Sequence, residues 1–300
     1  KRNTTRNLSY EDIAVLYRTN AQSRAFEGEL RKNNIPYRIY GGTSFYQRKE
    51  IKDTLAYFRL AVNPKDNEAL LRALTFPSRG IGDTTMKNVT LCAIENNQSY
   101  LEVMRHPDDY PLEMSGPMRK KISAFAAMID EMAVQSEEMD AFRFAEMLLR
   151  QTGLTTALMM DRTTEGIDRA QNVQELLNAI REFVTQRANE GIDYTPITDF
   201  LSEVSLMTDQ DDNQADTTDR VTLMTVHAAK GLEFPVVYIV GLEENLFPSQ
   251  FCTTQYEIEE ERRLFYVAIT RAMQTCVVSY ARQRFRNGQI TFNSPSRFLN

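Results

Sequence analysis

Within the run Val226-His227-Ala228-Ala229-Lys230-Gly231-Leu232-Glu233-Phe234, an imidazole, an ammonium and a carboxylate share one short loop. The preceding Val221-Thr222-Leu223-Met224-Thr225 reads as a central strand, so the loop is expected to leave the strand's C-terminal end, where α/β sheets place ligands. Lys230-Gly231 permits a tight turn there. Taken one at a time, His227 is a loop histidine and Glu233 a surface acid. A second stretch, Glu259-Glu260-Glu261-Arg262-Arg263-Leu264-Phe265-Tyr266-Val267-Ala268-Ile269-Thr270-Arg271-Ala272, holds a different oddity. A helix over residues 260–272 puts Leu264, Val267, Ala268 and Arg271 on one face, which places a guanidinium among apolar side chains. A cation there needs a partner. That partner is either a carboxylate of the same domain or a phosphate that meets the planar donor fork. Glu259 and Arg263, four apart, form a surface pair on the same helix.

Three further groups could meet a nucleic acid. Arg18 and Asn20, in Tyr17-Arg18-Thr19-Asn20-Ala21-Gln22-Ser23-Arg24, follow a strand and are placed to touch backbone phosphates. Phe45 and Tyr46 beside Arg48 and Lys49 combine stacking surface with phosphate-pairing charge, or else pack between domains. Gly80-Ile81-Gly82, followed by Asp83 and a helical run, looks like the hairpin of a helix-hairpin-helix, whose backbone N–H groups approach a phosphate at a helix start. In isolation the same three residues are a turn. No G-x-x-x-x-G-K-[S/T] loop occurs anywhere to cradle a triphosphate.

The elements that must position these groups follow a β-α-β grammar. Ile13–Tyr17 reads as a strand, Ser23 as the cap of a helix carrying Phe26 and Leu30, and Tyr37–Tyr40 as a second strand before Gly41-Gly42. Strand-like runs return only at Val221–Thr225, Pro235–Val240 and Cys276–Tyr280; the last two are apolar enough to be parallel strands buried on both faces. Between residues 42 and 215 the apolar spacing is helical throughout, as in Leu70-Leu71-Ala73-Leu74 and Val173-Leu176-Leu177-Ile180. The expectation is an α/β domain of residues 1–41 and 216–300 interrupted by a helical domain of residues 42–215.

Composition sets outer bounds. With 42% hydrophobic and 25% charged residues in 300, the chain is long enough for two cores. Cys92, Cys252 and Cys276 stand isolated, which argues against a disulfide framework or a cysteine zinc site, and no metal site is expected. The net charge of −6 is unevenly spread: residues 1–38 hold eight basic against four acidic side chains, whereas Asp209–Asp219 holds five Asp, no base, and reads as a solvated linker. No apolar run reaches the ~18 residues of a membrane span. The N-terminus has neither an initiator Met nor a signal-like core, so a cytoplasmic piece of a longer protein is expected.

The runs 226–234 and 259–272 together resemble motifs V and VI of the UvrD/PcrA/Rep group of superfamily 1 DNA helicases, and residues 17–24 and 41–53 are similar to further segments of that family. The resemblance implies a second RecA-like domain (2A) with an inserted helical domain (2B), cut from an ATP-dependent 3′→5′ DNA helicase of repair or replication. It implies Arg271 as an arginine finger on the γ-phosphate, Glu233 on the ribose and Gly231 in the same nucleotide-facing loop. It further implies His227, Arg18, Asn20, Phe45, Tyr46 and Arg48 along single-stranded DNA, with Gly80, Ile81 and Gly82 gripping duplex at a junction. ATP and Mg²⁺ are the implied cofactors, bound mainly by an N-terminal RecA-like domain outside this sequence; domains 1A and 1B of the same polypeptide and repair proteins are the further implied partners. A helicase-nuclease of the RecB/AddA type and a catalytically silent binding module share enough of these features to stand as alternatives.

Overall fold

The computed structural model describes residues 8–213, 218–286 and 289–299. The chain divides into two compact units, Lys1–Arg48 with Thr208–Asn300, and Lys49–Met207. In chain order the elements are β1 (Ile13–Tyr17), α1 (Ser23–Lys32) and β2 (Tyr37–Ile39), then the helices α2 (Lys49–Val62), α3 (Asn67–Thr75), α4 (Asp83–Glu95), α5 (Tyr100–Arg105), α6 (Gly116–Glu138), α7 (Ala141–Gln151), α8 (Leu154–Met160), α9 (Thr164–Asn189) and α10 (Ile197–Asn213). The chain then continues through β3 (Val221–Thr225), β4 (Phe234–Ile239), α11 (Gln255–Ile269), β5 (Ala272–Val278) and the hairpin strands β6 (Gln283–Arg286) and β7 (Gln289–Phe292).

The first unit is an α/β fold around a parallel sheet ordered β2-β3-β1-β4-β5. Alternation along the strands sends Ala14, Leu16, Met224, Val237 and Ile239 to one face, where they bury Phe265 and Ala268 of α11. Val15, Tyr17, Val221 and Leu223 go to the other, against Phe26 and Leu30 of α1. Parallel strands covered on both faces explain the near-continuous apolar runs of β1, β3 and β4. β5 departs from that expectation. It is the outermost strand, bonded only to β4, and is exposed along most of its length. Ser23 also departs, because it is the first residue of α1 with Gln22 at the cap position, and its buried hydroxyl donates to Glu27 at 2.6 Å.

The second unit is helical, and among the described residues between 42 and 213 there is no strand. Its helix starts are fixed by side chains that the sequence places for that purpose: Asp66, Ser99, Ser115, Asp140 and Thr163 each accept a backbone N–H of the first turn. Asp53, a deeply buried acid near the start of α2, is neutralised by Lys49 at 2.6 Å and Arg72 at 2.9 Å. Of the acidic stretch, residues 209–213 continue α10 rather than forming a linker, and residues 214–217 lie outside the described residues, as do Lys1, Arg2 and Arg6. Among the described residues no helix is long and apolar enough to cross a membrane.

Candidate functional site

Sheet topology decides which candidates can meet. β3 and β4 are parallel and flank β1, so the connection 226–233 must run back along the whole sheet before β4 begins. It does so packed on the sheet face, with Val226 and Ala229 buried and Ala228 and Leu232 against the same core. His227 therefore stands at the C-terminal edge of the sheet and Glu233 at the N-terminal edge. The expectation that the whole loop gathers at the C-terminal edge holds only for its first residues.

At the N-terminal edge, Arg271 and Glu233 are brought together. Arg271 is not on the face of α11. The helix ends at Ile269, Thr270 caps it, and Arg271 is the last residue before β5. Its Nε donates to Val267 O at 3.0 Å, its Nη1 to Leu232 O at 3.0 Å and its Nη2 to Thr270 Oγ1 at 3.1 Å. Its own carbonyl accepts Phe234 N–H at 2.9 Å. One residue thus grips the chain on both sides of Glu233. All the side-chain partners are neutral oxygens, and among the described residues no carboxylate lies within ion-pairing distance of this half-buried guanidinium. Glu233 is exposed and has no partner among the described residues. Gly231, at φ +85°, supplies the left-handed turn that brings the chain round to it.

An oriented guanidinium beside a free carboxylate suits a ligand with an anion and hydroxyls, which a nucleotide is. Half of a nucleotide site is what these residues fit. Among the described residues no group of three His, Cys, Asp or Glu side chains gathers to hold a metal ion. The pair anticipated between Glu259 and Arg263 is replaced by two ladders one position shorter, Glu259 with Arg262 and Glu260 with Arg263.

At the C-terminal edge the outcome differs. Arg18 is engaged by Glu261 of α11, Nε at 2.9 and 3.1 Å and Nη2 at 2.7 Å, with the two side chains 18% and 8% exposed. That bidentate pair occupies the fork expected to meet DNA. Asn20 is half-buried, its carbonyl accepting from Arg48 Nη1 at 2.9 Å, and His227 is exposed. Gln22 Oε1 accepts both Arg18 N–H and Thr19 N–H at 3.0 Å, which fixes the backbone leaving β1.

Phe45, Tyr46 and Arg48 are inside the first unit, at 0, 6 and 8% exposure. A side chain without a solvent-facing ring cannot stack a base, so the expected stacking surface is corrected to packing. Phe45 N–H donates to the Glu27 carboxylate at 3.0 Å, and Arg48 donates to Ser23 Oγ at 2.6 Å with its guanidinium 5.3 Å from the Phe45 ring centre. This cluster anchors the segment after β2 to α1. Burial, with Glu27 close by, pushes the Tyr17 hydroxyl well above its ordinary value. Glu27 and Glu261 escaped the sequence reading, although Glu261 carried a signal. It falls on the buried stripe Ile258, Glu261, Phe265, Ala268, the same misplaced-charge pattern that singled out Arg271.

In the second unit Gly80 and Gly82 are exposed at the start of α4, and Ile81 between them is half-buried. Gly80 has φ +65°, and a Cβ there would sit 3.0 Å from Lys121 Nζ. Gly82 has φ −89° and open space around its Cβ position. Arg79 ties the hairpin down by donating to Tyr57 Oη at 3.1 Å and Thr152 O at 2.9 Å, its guanidinium lying close to the Tyr57 and Phe125 rings.

Residues 1–283 match the sequence model of the UvrD-like helicase C-terminal domain. The ATP-dependent DNA helicase PcrA of Leuconostoc citreum is 40% identical over 299 residues, covering 98% of this chain and 39% of that protein. The proteins of the same name from Staphylococcus aureus (strain NCTC 8325 / PS 47) and Staphylococcus epidermidis are 37% identical over 293 residues, covering 97% of this chain and 39% of each. The chain thus spans 39% of the length of the curated relatives it matches.

Proposed function

The chain belongs to the UvrD-like helicase C-terminal domain family, and we propose that it forms the C-terminal part of an ATP-dependent 3′→5′ DNA helicase that unwinds duplex DNA in repair or replication, in the cytoplasm. The first unit serves as the second RecA-like domain, 2A, and the helical unit as the inserted 2B. The observation that carries this reading is Arg271: a charged donor fork oriented by neutral oxygens, without a counter-charge among the described residues, beside an unpaired Glu233. Bound ATP supplies the phosphoryl group whose transfer to water drives the motor. This chain's part is to point Arg271 at the terminal phosphate, where developing charge is stabilised, and to offer Glu233 as acceptor for a ribose hydroxyl. Triphosphate and Mg²⁺ would be held mainly by the N-terminal RecA-like domain of the same polypeptide. Asn20 and His227 face the single strand, Arg18 and Arg48 hold the DNA-facing loop in place, and Gly80-Ile81-Gly82 meets the duplex.

The test uses the complete protein: DNA-stimulated ATP hydrolysis and strand separation on a duplex with a 3′ tail. Absence of both would overturn the reading. The hairpin is tested by Gly82→Ala, because the fold has room for that methyl and a closely approaching phosphate does not. Affinity for tailed duplex is expected to fall while affinity for the tail alone holds, and the salt slope to become shallower by roughly 0.9 for each phosphate the hairpin ceases to meet. Gly80→Ala would confuse the matter, since its positive φ strains any side chain.

A further inference from the structure

We propose that Glu261 is a positioning residue that couples the two edges of the sheet: by gripping Arg18 it fixes the DNA-facing loop to α11, whose far end delivers Arg271. The inference rests on the helicase reading above and names how that site is regulated. α11 crosses the sheet from one edge to the other. Its start, at Thr254, and its midpoint, at Glu261, serve the C-terminal edge, and Arg271 follows its last turn at the N-terminal edge. The helical path from Glu261 to the end of α11 at Ile269, two residues before Arg271, is roughly 12 Å long. Phe265 and Ala268 between them are buried in the core shared with β1 and β4, so the intervening turns move with Glu261 or not at all.

The pair is built for orientation. Two nitrogens of the guanidinium fork meet both carboxylate oxygens, and Glu261 also accepts Ser249 N–H at 3.3 Å. Gln22 holds the Arg18 and Thr19 amides, so the loop carrying the guanidinium cannot swing independently of its backbone. Burying such a pair is a poor way to gain stability, because apolar side chains of the same size would do as well or better. What a bidentate pair adds is a defined angle between loop and helix. Asn20 lies two residues beyond Arg18, so a phosphate arriving at Asn20 loads the backbone that Glu261 holds through the Arg18 side chain. A pull on the loop is then a pull on α11.

The experiment measures ATP turnover of the complete protein with and without single-stranded DNA, for wild type, for Glu261→Gln, and for the apolar double variant Arg18→Met with Glu261→Leu, which leaves no buried charge of the pair behind. The readout is the ratio of stimulated to basal turnover, which does not depend on the folded fraction. The expected result is a ratio reduced about tenfold in both variants, within the usual range of coupling between sites, with basal turnover of Glu261→Gln unchanged. A wild-type ratio in the variants, or basal and stimulated turnover falling together, would reduce the pair to a structural role and overturn the proposal. Should wild type itself show no stimulation by DNA, the helicase reading fails first, and the two failures are thereby told apart.

Discussion

At the N-terminal edge of the sheet, Arg271 and Glu233 have no ion-pair partner among the described residues; at the C-terminal edge, Arg18, Arg48, Glu27 and Glu261 are consumed by interactions within the fold. Both edges look alike in sequence, each a strand end with basic and acidic residues near it. They differ in what orients the side chain. Neutral oxygens steer a guanidinium while leaving its charge available to an incoming anion, whereas a carboxylate steers it and cancels it. Of the two arginines nearest the strand ends, Arg271, held by neutral oxygens, is left open to an anion, and Arg18, held by a carboxylate, is part of the frame.

The largest expected effect tests that distinction directly. In the complete protein Arg271→Ala should lower DNA-stimulated kcat by roughly 10³-fold or more, with ATP affinity changed far less, because a finger acts on transition-state charge. Equal losses in binding and turnover would make Arg271 a structural cap of α11 like its partner Thr270. The purified chain alone should not hydrolyse ATP, lacking any phosphate loop.

The next effect is on stability. Phe45 is fully buried, with the Arg48 guanidinium against its ring, so Phe45→Ala should cost about 3–5 kcal/mol in a denaturant titration. The milder Phe45→Leu, if folded, should bind single-stranded DNA as wild type does. A folded Phe45→Leu with weakened DNA binding would mean that the ring reaches DNA after rearrangement, and the contrast between the edges would blur.

Much of this arrangement was legible in the residues. The β-α-β start, the helical insertion and the strands β3 and β4 follow from apolar period, and the family resemblance rests on the runs 226–234 and 259–272. What escaped reading is where a charge is spent. Arg18 and Arg48 carry the composition of a phosphate contact, and only the approach of Glu261, far along the chain, or of Ser23 and Asn20 shows otherwise. Helix ends were equally opaque: the apolar pattern of α11 persists to Arg271, yet Thr270 ends the helix and turns Arg271 back to bond Val267. The exposure of β5 is a property of sheet order, which strand composition does not encode.

A smaller effect is expected at His227, the exposed candidate of the DNA edge. His227→Ala should weaken single-stranded DNA binding on the order of tenfold, the lower part of what one stacked base contributes. Basal ATP turnover should hold, since His227 and Arg271 stand at opposite edges. Loss of basal turnover with DNA affinity intact would instead assign His227 to the nucleotide side.

The smallest effect concerns the start of α11, the helix that joins both edges. Glu257 closes a capping box, accepting Thr253 N–H and Thr254 N–H at 2.9 Å while Thr254 Oγ1 accepts Glu257 N–H at 3.3 Å. The Thr254 backbone donor, then the Thr254 hydroxyl, hold the Glu257 carboxyl below the ordinary glutamate value of 4.5. Because its folded pKa is lowered, the group contributes stability above that ordinary value, and the contribution is lost as pH falls through the folded one. Asp161 and Glu244 are shifted the same way, so the acid limb of the wild-type melting curve is a composite. The difference between wild type and Glu257→Gln isolates one group. Their melting temperatures should stand apart above about pH 5 and converge on acidification, with the gap constant from there to neutrality. A gap that persists unchanged into acid would show that the amide loses more than the charge, and that the cap is held by geometry rather than by the ionised carboxylate.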